Sequence, residues 1–190
     1  YGTAVFGNTT LTSVGSDDIF LAKLSPDGDF AWATQAGGAG WDSGYDVSTL
    51  SDGSAVVTGS FEGAASFGNT TLTSVGYSDA FVAKLGASGT WDWARRFGGV
   101  GADEAYALST SSDGSTFVTG YFWGTAAFGN LSLSSVGGDD VFVTKLNADG
   151  SVVWATSAGG PSVAFGDAIT ALPDGSVIFA GGFYGNADFG

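Results

Sequence analysis

Short apolar runs alternate with polar turns along the whole chain, and no stretch has the spacing of an amphipathic helix. Residues 18–24 and 30–35 are two such runs around the turn at 25–28, and residues 45–50 and 55–61 are two more around the turn at 51–54. Neighbouring positions in each run are apolar, and they point to opposite faces of a strand. The pattern predicts two β-hairpins covered on both faces and separated by a break at 37–38, while 6–15 is either an edge strand or an ordered loop.

This pattern returns with a period of 61 residues. A Phe-Gly pair marks the period at positions 6, 67, 128 and 189. It defines one repeat array over 1–190, with repeats at 6–66, 67–127 and 128–188, a partial preceding repeat at 1–5 and a fourth beginning at 189. We predict an all-β protein of tandem repeats, mostly four-stranded antiparallel sheets that form β-propeller blades; an open β-repeat array or solenoid is the alternative.

Three repeats are too few for a closed ring, because propellers have about four to eight blades. The two ends of the sequence share one phase of the repeat, YGTAVFG at 1–7 and YGNADFG at 184–190. We therefore expect the partners to be further repeats of the same chain or other copies of it.

The composition limits the partners and the catalytic activities that can be expected of the chain. The 190 residues include 19 acidic and 5 basic side chains, a formal net charge of −14, and no His, Cys or Met. Such a charge repels nucleic acid, and no apolar run is long enough for membrane insertion, so neither is expected as a partner. Near-identical repeats offer no single asymmetric catalytic constellation, and we expect no enzymatic activity.

Several segments resemble a known family. Residues 98–106 (GGVGADEAY), 117–120 (FVTG) and 79–85 (DAFVAKL) are similar to the SBBP-type β-propeller repeats of bacterial secreted and surface proteins. The resemblance covers essentially the whole chain and implies a propeller, export to the cell surface or medium, and no established catalytic residues. The third repeat departs from the pattern, with Ala164 and Asp167 where the second has Asp103 and Tyr106. FG-GAP repeats are a weaker resemblance, because their alternating calcium ligands are not found here.

Acidic residues at strand starts are the candidate metal ligands. Calcium is the cation they would suit, because it prefers carboxylate oxygens, and no other cofactor is expected. The alternative is that they cap the strand. The Asp-Gly pairs elsewhere are typical of type I′ hairpin turns. The candidate ligands are Asp17, Asp18, Asp79, Asp139 and Asp140.

Three lysines occupy one repeat position inside apolar strands: Lys23, Lys84 and Lys145. An unpaired ammonium is costly to bury. We therefore predict structural ion pairs with aspartates of the same or the adjacent sheet.

Aromatic residues fall into two groups. Trp32, Trp93 and Trp154 are equivalent and are expected between sheets, whereas Trp41, Trp91 and Trp123 break the repeat pattern. We predict that the second group is the surface set that would contact a ligand such as carbohydrate.

Three N-glycosylation sequons lie in register, at Asn8, Asn69 and Asn130. The resulting hypothesis is a non-enzymatic structural or adhesive module of an exported or cell-surface protein, which assembles end to end into a ring or filament. The alternative is a calcium- or carbohydrate-binding β-propeller module.

Overall fold

The computed structural model describes residues 2–190, so Tyr1 of the predicted leading partial repeat lies outside the described residues. The described part forms eighteen β-strands and no α-helix, which confirms the all-β prediction. It therefore contains no helix that could span a membrane. The strands are β1 (Thr3–Phe6), β2 (Thr9–Thr12), β3 (Ile19–Leu24), β4 (Phe30–Gly38), β5 (Asp42–Thr49), β6 (Ala55–Phe61), β7 (Ala64–Phe67), β8 (Thr70–Thr73), β9 (Asp79–Leu85), β10 (Trp91–Gly99), β11 (Glu104–Thr110), β12 (Thr116–Phe122), β13 (Thr125–Phe128), β14 (Leu131–Ser134), β15 (Asp140–Leu146), β16 (Val152–Ala158), β17 (Ala164–Ala171) and β18 (Val177–Phe183).

The main strands form four antiparallel units in sequence order. Strands β5-β6-β9-β10 are the first full sheet and β11-β12-β15-β16 the second full sheet. Strands β3-β4 form the first half-sheet and β17-β18 the last half-sheet. Each full sheet combines the end of one repeat with the start of the next, and the arrangement is compatible with propeller-like blades or an open β-repeat array.

The stretch that the sequence left open between a strand and a loop belongs to a short hairpin. There are three such hairpins, β1-β2, β7-β8 and β13-β14. Strand β7 follows β6 in the chain but pairs with β4, and β13 follows β12 but pairs with β10. Each of these two hairpins therefore ties a sheet to the one before it. The predicted break at 37–38 is wrong, because Gly37 and Gly38 continue β4 and pair with β7.

The core lies in layers between the sheets. Phe81 of β9 faces the layer shared with the first half-sheet, where it meets Ile19 and Phe61. The next residue, Val82, faces the layer between the two full sheets, with Phe142. Because each full sheet has a neighbour on both faces, successive positions of its strands are apolar.

The Asp-Gly turns differ from the predicted type I′ form. That turn needs positive φ at both central residues, yet every positive-φ residue in the described part of the chain is glycine. Gly53 alone is left-handed in its turn, with φ 81°, and the Asp52 carboxylate accepts the Ser54 N–H at 2.9 Å. The aspartate closes the turn with its side chain instead of its backbone.

Candidate functional site

Two buried aspartates hold the bend between one sheet and the next. In the second repeat Asp79 and Asp103 lie on either side of Gly98, where a Cβ would come within 2.7 Å of Asp103 Oδ2 and 2.8 Å of Asp79 Cγ. Asp103 Oδ2 accepts the Gly99 N–H at 2.8 Å. Asp18 and Asp42 bracket Gly37 in the same way in the first repeat. The carboxylates of Asp42 and Asp103 thus accept hydrogen bonds from backbone N–H groups at the bend.

Burial changes the protonation of one aspartate in each of these two pairs. Burial is the largest cause and, together with the charges of Asp18 and Asp79, it raises the pKa of Asp42 and of Asp103 to about 6. We call Asp42 and Asp103 the bend aspartates. Below pH 6 they carry a proton in the folded protein, whereas an aspartate in the unfolded chain is ionised at that pH.

The three repeats differ in what compensates the negative charge of the aspartates beside the bend. In the second repeat Arg96 forms a salt bridge with the fully buried Asp79, and this is the one salt bridge within residues 2–190. The first repeat has Gln35 at the arginine position. The third lacks the bend aspartate, and there Asp140 Oδ1 accepts the Gly160 N–H at 3.2 Å instead.

The predicted metal ligands are not brought together. Asp17 is exposed, Asp139 lines a separate pocket, and Asp140 is turned toward backbone N–H groups. Asp79 faces the Arg96 guanidinium. No three acidic side chains converge on one point among residues 2–190, although calcium takes six to eight oxygens. From the sequence, Asp103 was named only as part of the family resemblance and Asp42 was not named, although the two lie 61 residues apart.

The prediction that the three lysines form ion pairs is wrong. None of Lys23, Lys84 and Lys145 lies within 4.0 Å of a carboxylate in the described chain. Lys145 Nζ instead lies 5.2 Å from the centre of the Phe117 ring. The strands end at an accessible edge, so Lys84 and Lys145 are half-buried and Lys23 is exposed, and no buried charge needs a partner.

The irregular tryptophans do not form one surface. Trp41 and Trp123 are exposed, but Trp91 packs edge-on against Phe67 at 5.2 Å and borders the core. Trp91 occupies the position of Phe30 in the first repeat, which explains its place. Of the three predicted ligand tryptophans, Trp41 and Trp123 stay available at the surface.

The sequons lie at equivalent hairpin tips. Asn8, Asn69 and Asn130 are exposed, each after a left-handed glycine that turns its hairpin. Their positions are accessible to a glycosylating enzyme, and modification stays a prediction.

A pocket that sequence reasoning missed lies between the second full sheet and the last half-sheet. It has a volume of about 520 Å³ and is lined by Tyr106, Tyr121, Asp139, Phe165 and Asp167. Burial raises the pKa of Tyr106 to about 12 and raises the pKa of Tyr121 and of Asp139. Phenols and carboxylates together can bind polyhydroxylated ligands, by stacking and by hydrogen bonds.

The two ends of the array expose side chains that are buried in its middle. Phe20 on the first half-sheet is 60% exposed, while its equivalents Phe81 and Phe142 are fully buried. Phe183 on the last half-sheet is 59% exposed, while its equivalent Phe122 is fully buried. Within residues 2–190 these side chains have no neighbouring strands of the kind that cover their equivalents.

Comparison with known proteins supports the repeat character. No protein-family model matches the chain. It is 31% identical over 158 residues to the regulatory protein FlaEY of Caulobacter vibrioides, which aligns 78% of this chain and 16% of the relative. It is 24% identical over 173 residues to an uncharacterized WD repeat-containing protein of Acanthamoeba polyphaga mimivirus, with 80% of this chain and 12% of the relative aligned. The chain thus spans a small part of each relative. It is a repeat β module, and the second similarity points to a β-propeller-like repeat.

Proposed function

We propose that this chain is a non-enzymatic structural module of an exported or cell-surface protein that works by joining end to end. The observation that carries the proposal is that each full sheet joins strands of two successive repeats, so that the array grows by one repeat pairing with the next. The last half-sheet has the first two strands of a sheet, and the first half-sheet has the last two. Each half exposes the apolar layer that a complete sheet covers.

The strand count supports a closed or a continuing assembly. Two full sheets and two half-sheets amount to three blades in each chain. Two chains would supply about six blades, within the range of closed propellers, and more chains would form a filament. Export and a surface role are supported by the SBBP-like segments and by the exposed sequons, and an adhesive role would follow from exposing this assembly at a surface.

Light scattering during size-exclusion chromatography tests the proposal. A single chain has a mass of 18.9 kDa, and we expect a larger mass that rises with concentration. Leu24→Asp places a charge on the exposed apolar face of the first half-sheet and is expected to restore the single-chain mass. Val75→Asp is the matched control, because Val75 is equally exposed but lies in the loop after β8. A parent chain that stays at the single-chain mass at every concentration would overturn the proposal.

A second candidate function is carbohydrate binding in the tyrosine pocket. Tyr106, Tyr121 and Phe165 offer aromatic faces beside the carboxylates of Asp139 and Asp167. Titration calorimetry with a panel of oligosaccharides would test it. Binding that Tyr121→Ala abolishes and Tyr77→Ala leaves intact would support it, since Tyr77 is exposed away from the pocket; no binding of any sugar would remove it.

A further inference from the structure

Two neighbouring junctions inside the array are built from equivalent positions. Strand β5 packs against β11 at the first junction, between the two full sheets, and β11 packs against β17 at the second. Each residue that lines the tyrosine pocket at the second junction lies 61 residues after a residue of the first. The first set is Tyr45, Ser60, Ser78, Glu104 and Tyr106, and the second is Tyr106, Tyr121, Asp139, Phe165 and Asp167. The first junction is therefore an internal reference for the pocket at the second.

The first junction is closed by its own side chains. The Tyr45 hydroxyl donates to Glu104 Oε2 at 3.0 Å, and it lies 3.0 Å from Ser60 Oγ. The Tyr45 ring packs on the Tyr106 ring, with the two centroids 5.3 Å apart. A carboxylate, a phenol and an aromatic ring from two sheets thus satisfy one another at this junction.

The second junction lacks this closing contact. Tyr106 takes the position of Tyr45, but Phe165 takes the position of Glu104, so a ring stands where the first junction has a carboxylate. Asp167 takes the position of the ring on which Tyr45 packs. A pocket of about 520 Å³ lies in place of these contacts, and this volume is within the range of small-molecule sites.

The aromatic walls of the pocket are held in place by their neighbours. The rings of Tyr106 and Tyr121 pack with their centroids 5.6 Å apart. The Phe165 ring covers Gly182, where a Cβ would come within 2.7 Å of the ring. Gly182 is the equivalent of Tyr121, so the missing side chain leaves room for Phe165. The pocket thus has aromatic faces on which the apolar face of a sugar ring can stack.

The carboxylates of the pocket have no cation beside them. Neither Asp139 nor Asp167 forms a salt bridge within residues 2–190, and none of the five basic residues of the chain lines the pocket. Burial raises the pKa of Asp139, and the charge of Asp140 raises it too. Burial likewise raises the pKa of Tyr121, and the charges of Glu104 and Asp139 add to the rise. The electrostatic potential in the pocket is therefore negative.

This charge decides which class of sugar the pocket suits. A ligand that fills the pocket removes water from the carboxylates, and an unpaired charge is costly to bury. An acidic sugar adds repulsion, and a neutral sugar offers only uncharged donors. An ammonium group offers N–H donors together with a positive charge, and it is also attracted to the faces of aromatic rings.

We propose that the tyrosine pocket binds an amino sugar with a free ammonium group, such as a glucosamine oligomer. The sugar ring stacks on Tyr106 and Tyr121, and the ammonium group pairs with the carboxylates of Asp139 and Asp167. The inference rests on carbohydrate binding in this pocket, the second candidate function, and names the class of sugar. It does not depend on end-to-end assembly.

Titration calorimetry with matched ligands tests the proposal, at a slightly acidic pH that keeps the amines protonated. The glucosamine tetramer and the N-acetylglucosamine tetramer have the same rings, but only the first carries ammonium groups. We expect the glucosamine tetramer to bind at least about tenfold more tightly, because hydrogen bonds between charged groups are the stronger ones. Added salt should reduce this preference. A lysine tetramer carries the charge without the rings and should bind more weakly than the glucosamine tetramer.

Three variants test which residues give the preference. Asp139→Asn keeps the size of the side chain and removes its charge, so it should weaken binding of the glucosamine tetramer about tenfold and leave the N-acetylated tetramer unchanged. Asp92→Asn is the matched control, because Asp92 is exposed at the start of β10 and does not line the pocket. Tyr121→Ala should abolish binding of both sugars, while circular dichroism shows an unchanged fold.

The possible results distinguish this inference from the functions proposed above. Equal affinity for the two sugar tetramers would overturn the amino sugar and leave carbohydrate binding in place. A lysine tetramer that binds as tightly as the glucosamine tetramer would also overturn it, because the pocket would then select charge alone. Equal losses from Asp139→Asn and Asp92→Asn would assign the preference to the net charge of the chain and contradict the proposed site. Binding of no sugar removes both this inference and the second candidate function, whereas end-to-end assembly is tested separately by light scattering.

Discussion

Removing the Arg96 charge is the sharpest test of how the bend is stabilised. The guanidinium pairs with Asp79, which is fully buried and lies beside the bend aspartate Asp103. The third repeat has serine at the arginine position and alanine at the bend aspartate, as Ser157 and Ala164. Arg96→Ser combined with Asp103→Ala therefore rebuilds an arrangement that this chain already contains.

The expected magnitude follows from burial. Breaking a buried ion pair by removing one partner costs about 3–5 kcal/mol. The Arg96 side chain is 27% exposed, so water screens part of this interaction. We expect Arg96→Ser to lower the free energy of unfolding at pH 7.5 by about 2–3 kcal/mol. Adding Asp103→Ala should restore about 1–2 kcal/mol, because it removes the second buried charge and frees Asp79 to accept the Gly99 N–H.

Urea unfolding followed by tryptophan fluorescence measures all four members of this double-mutant cycle. Protein concentrations low enough to keep every variant single-chain isolate the bend from assembly. Asp103→Ala alone should destabilise, because it removes two backbone hydrogen bonds while Arg96 still neutralises Asp79. A double variant less stable than Arg96→Ser would refute the reasoning, as would an Arg96→Ser variant as stable as the parent.

Three other predictions follow from the same contacts. The bend aspartates have folded pKa values near 6, above the unfolded value of 3.8, so their contribution to stability is lost as pH rises. Raising the pH from 5 to 7 should lower the unfolding free energy by about 1 kcal/mol for each, and Asp103→Ala should remove its share in a urea titration. Lys84→Met should change stability by less than about 0.5 kcal/mol, since the lysine makes no salt bridge; a larger loss in urea unfolding would restore the ion pair. Trp91→Ala should cost about 3 kcal/mol and Trp41→Ala close to zero, and equal losses would contradict their different burial.

The repeating strands and turns could be predicted from the sequence because the same pattern of apolar and turn residues occurs in every repeat. Runs such as 55–61 coincide with strand β6, since apolar positions on both faces suit only a strand with neighbours on both sides. The Asp-Gly turns were placed correctly, but their type was not. A hydrogen bond from Ser54 to Asp52 replaces the second left-handed residue, and a dipeptide pattern does not contain that contact.

The candidate sites were predicted less well, because they depend on residues that meet only in space. Asp79 was recognised, but its neighbours Arg96 and Asp103 approach through the bend between β10 and β11. The tyrosine pocket likewise combines residues from different sheets, including Tyr106 and its repeat equivalent Asp167, which are 61 residues apart in the chain.

The sequence by itself determined the strand pattern and the 61-residue period, because both follow from local side-chain chemistry repeated along the chain. Only the tertiary structure decided that sheets straddle the repeat boundaries and that the ends are complementary half-sheets. Hydrogen bonding between strands sets those boundaries, since β6 pairs with β9 of the next repeat, and within residues 2–190 β3 pairs only with β4 and β18 only with β17.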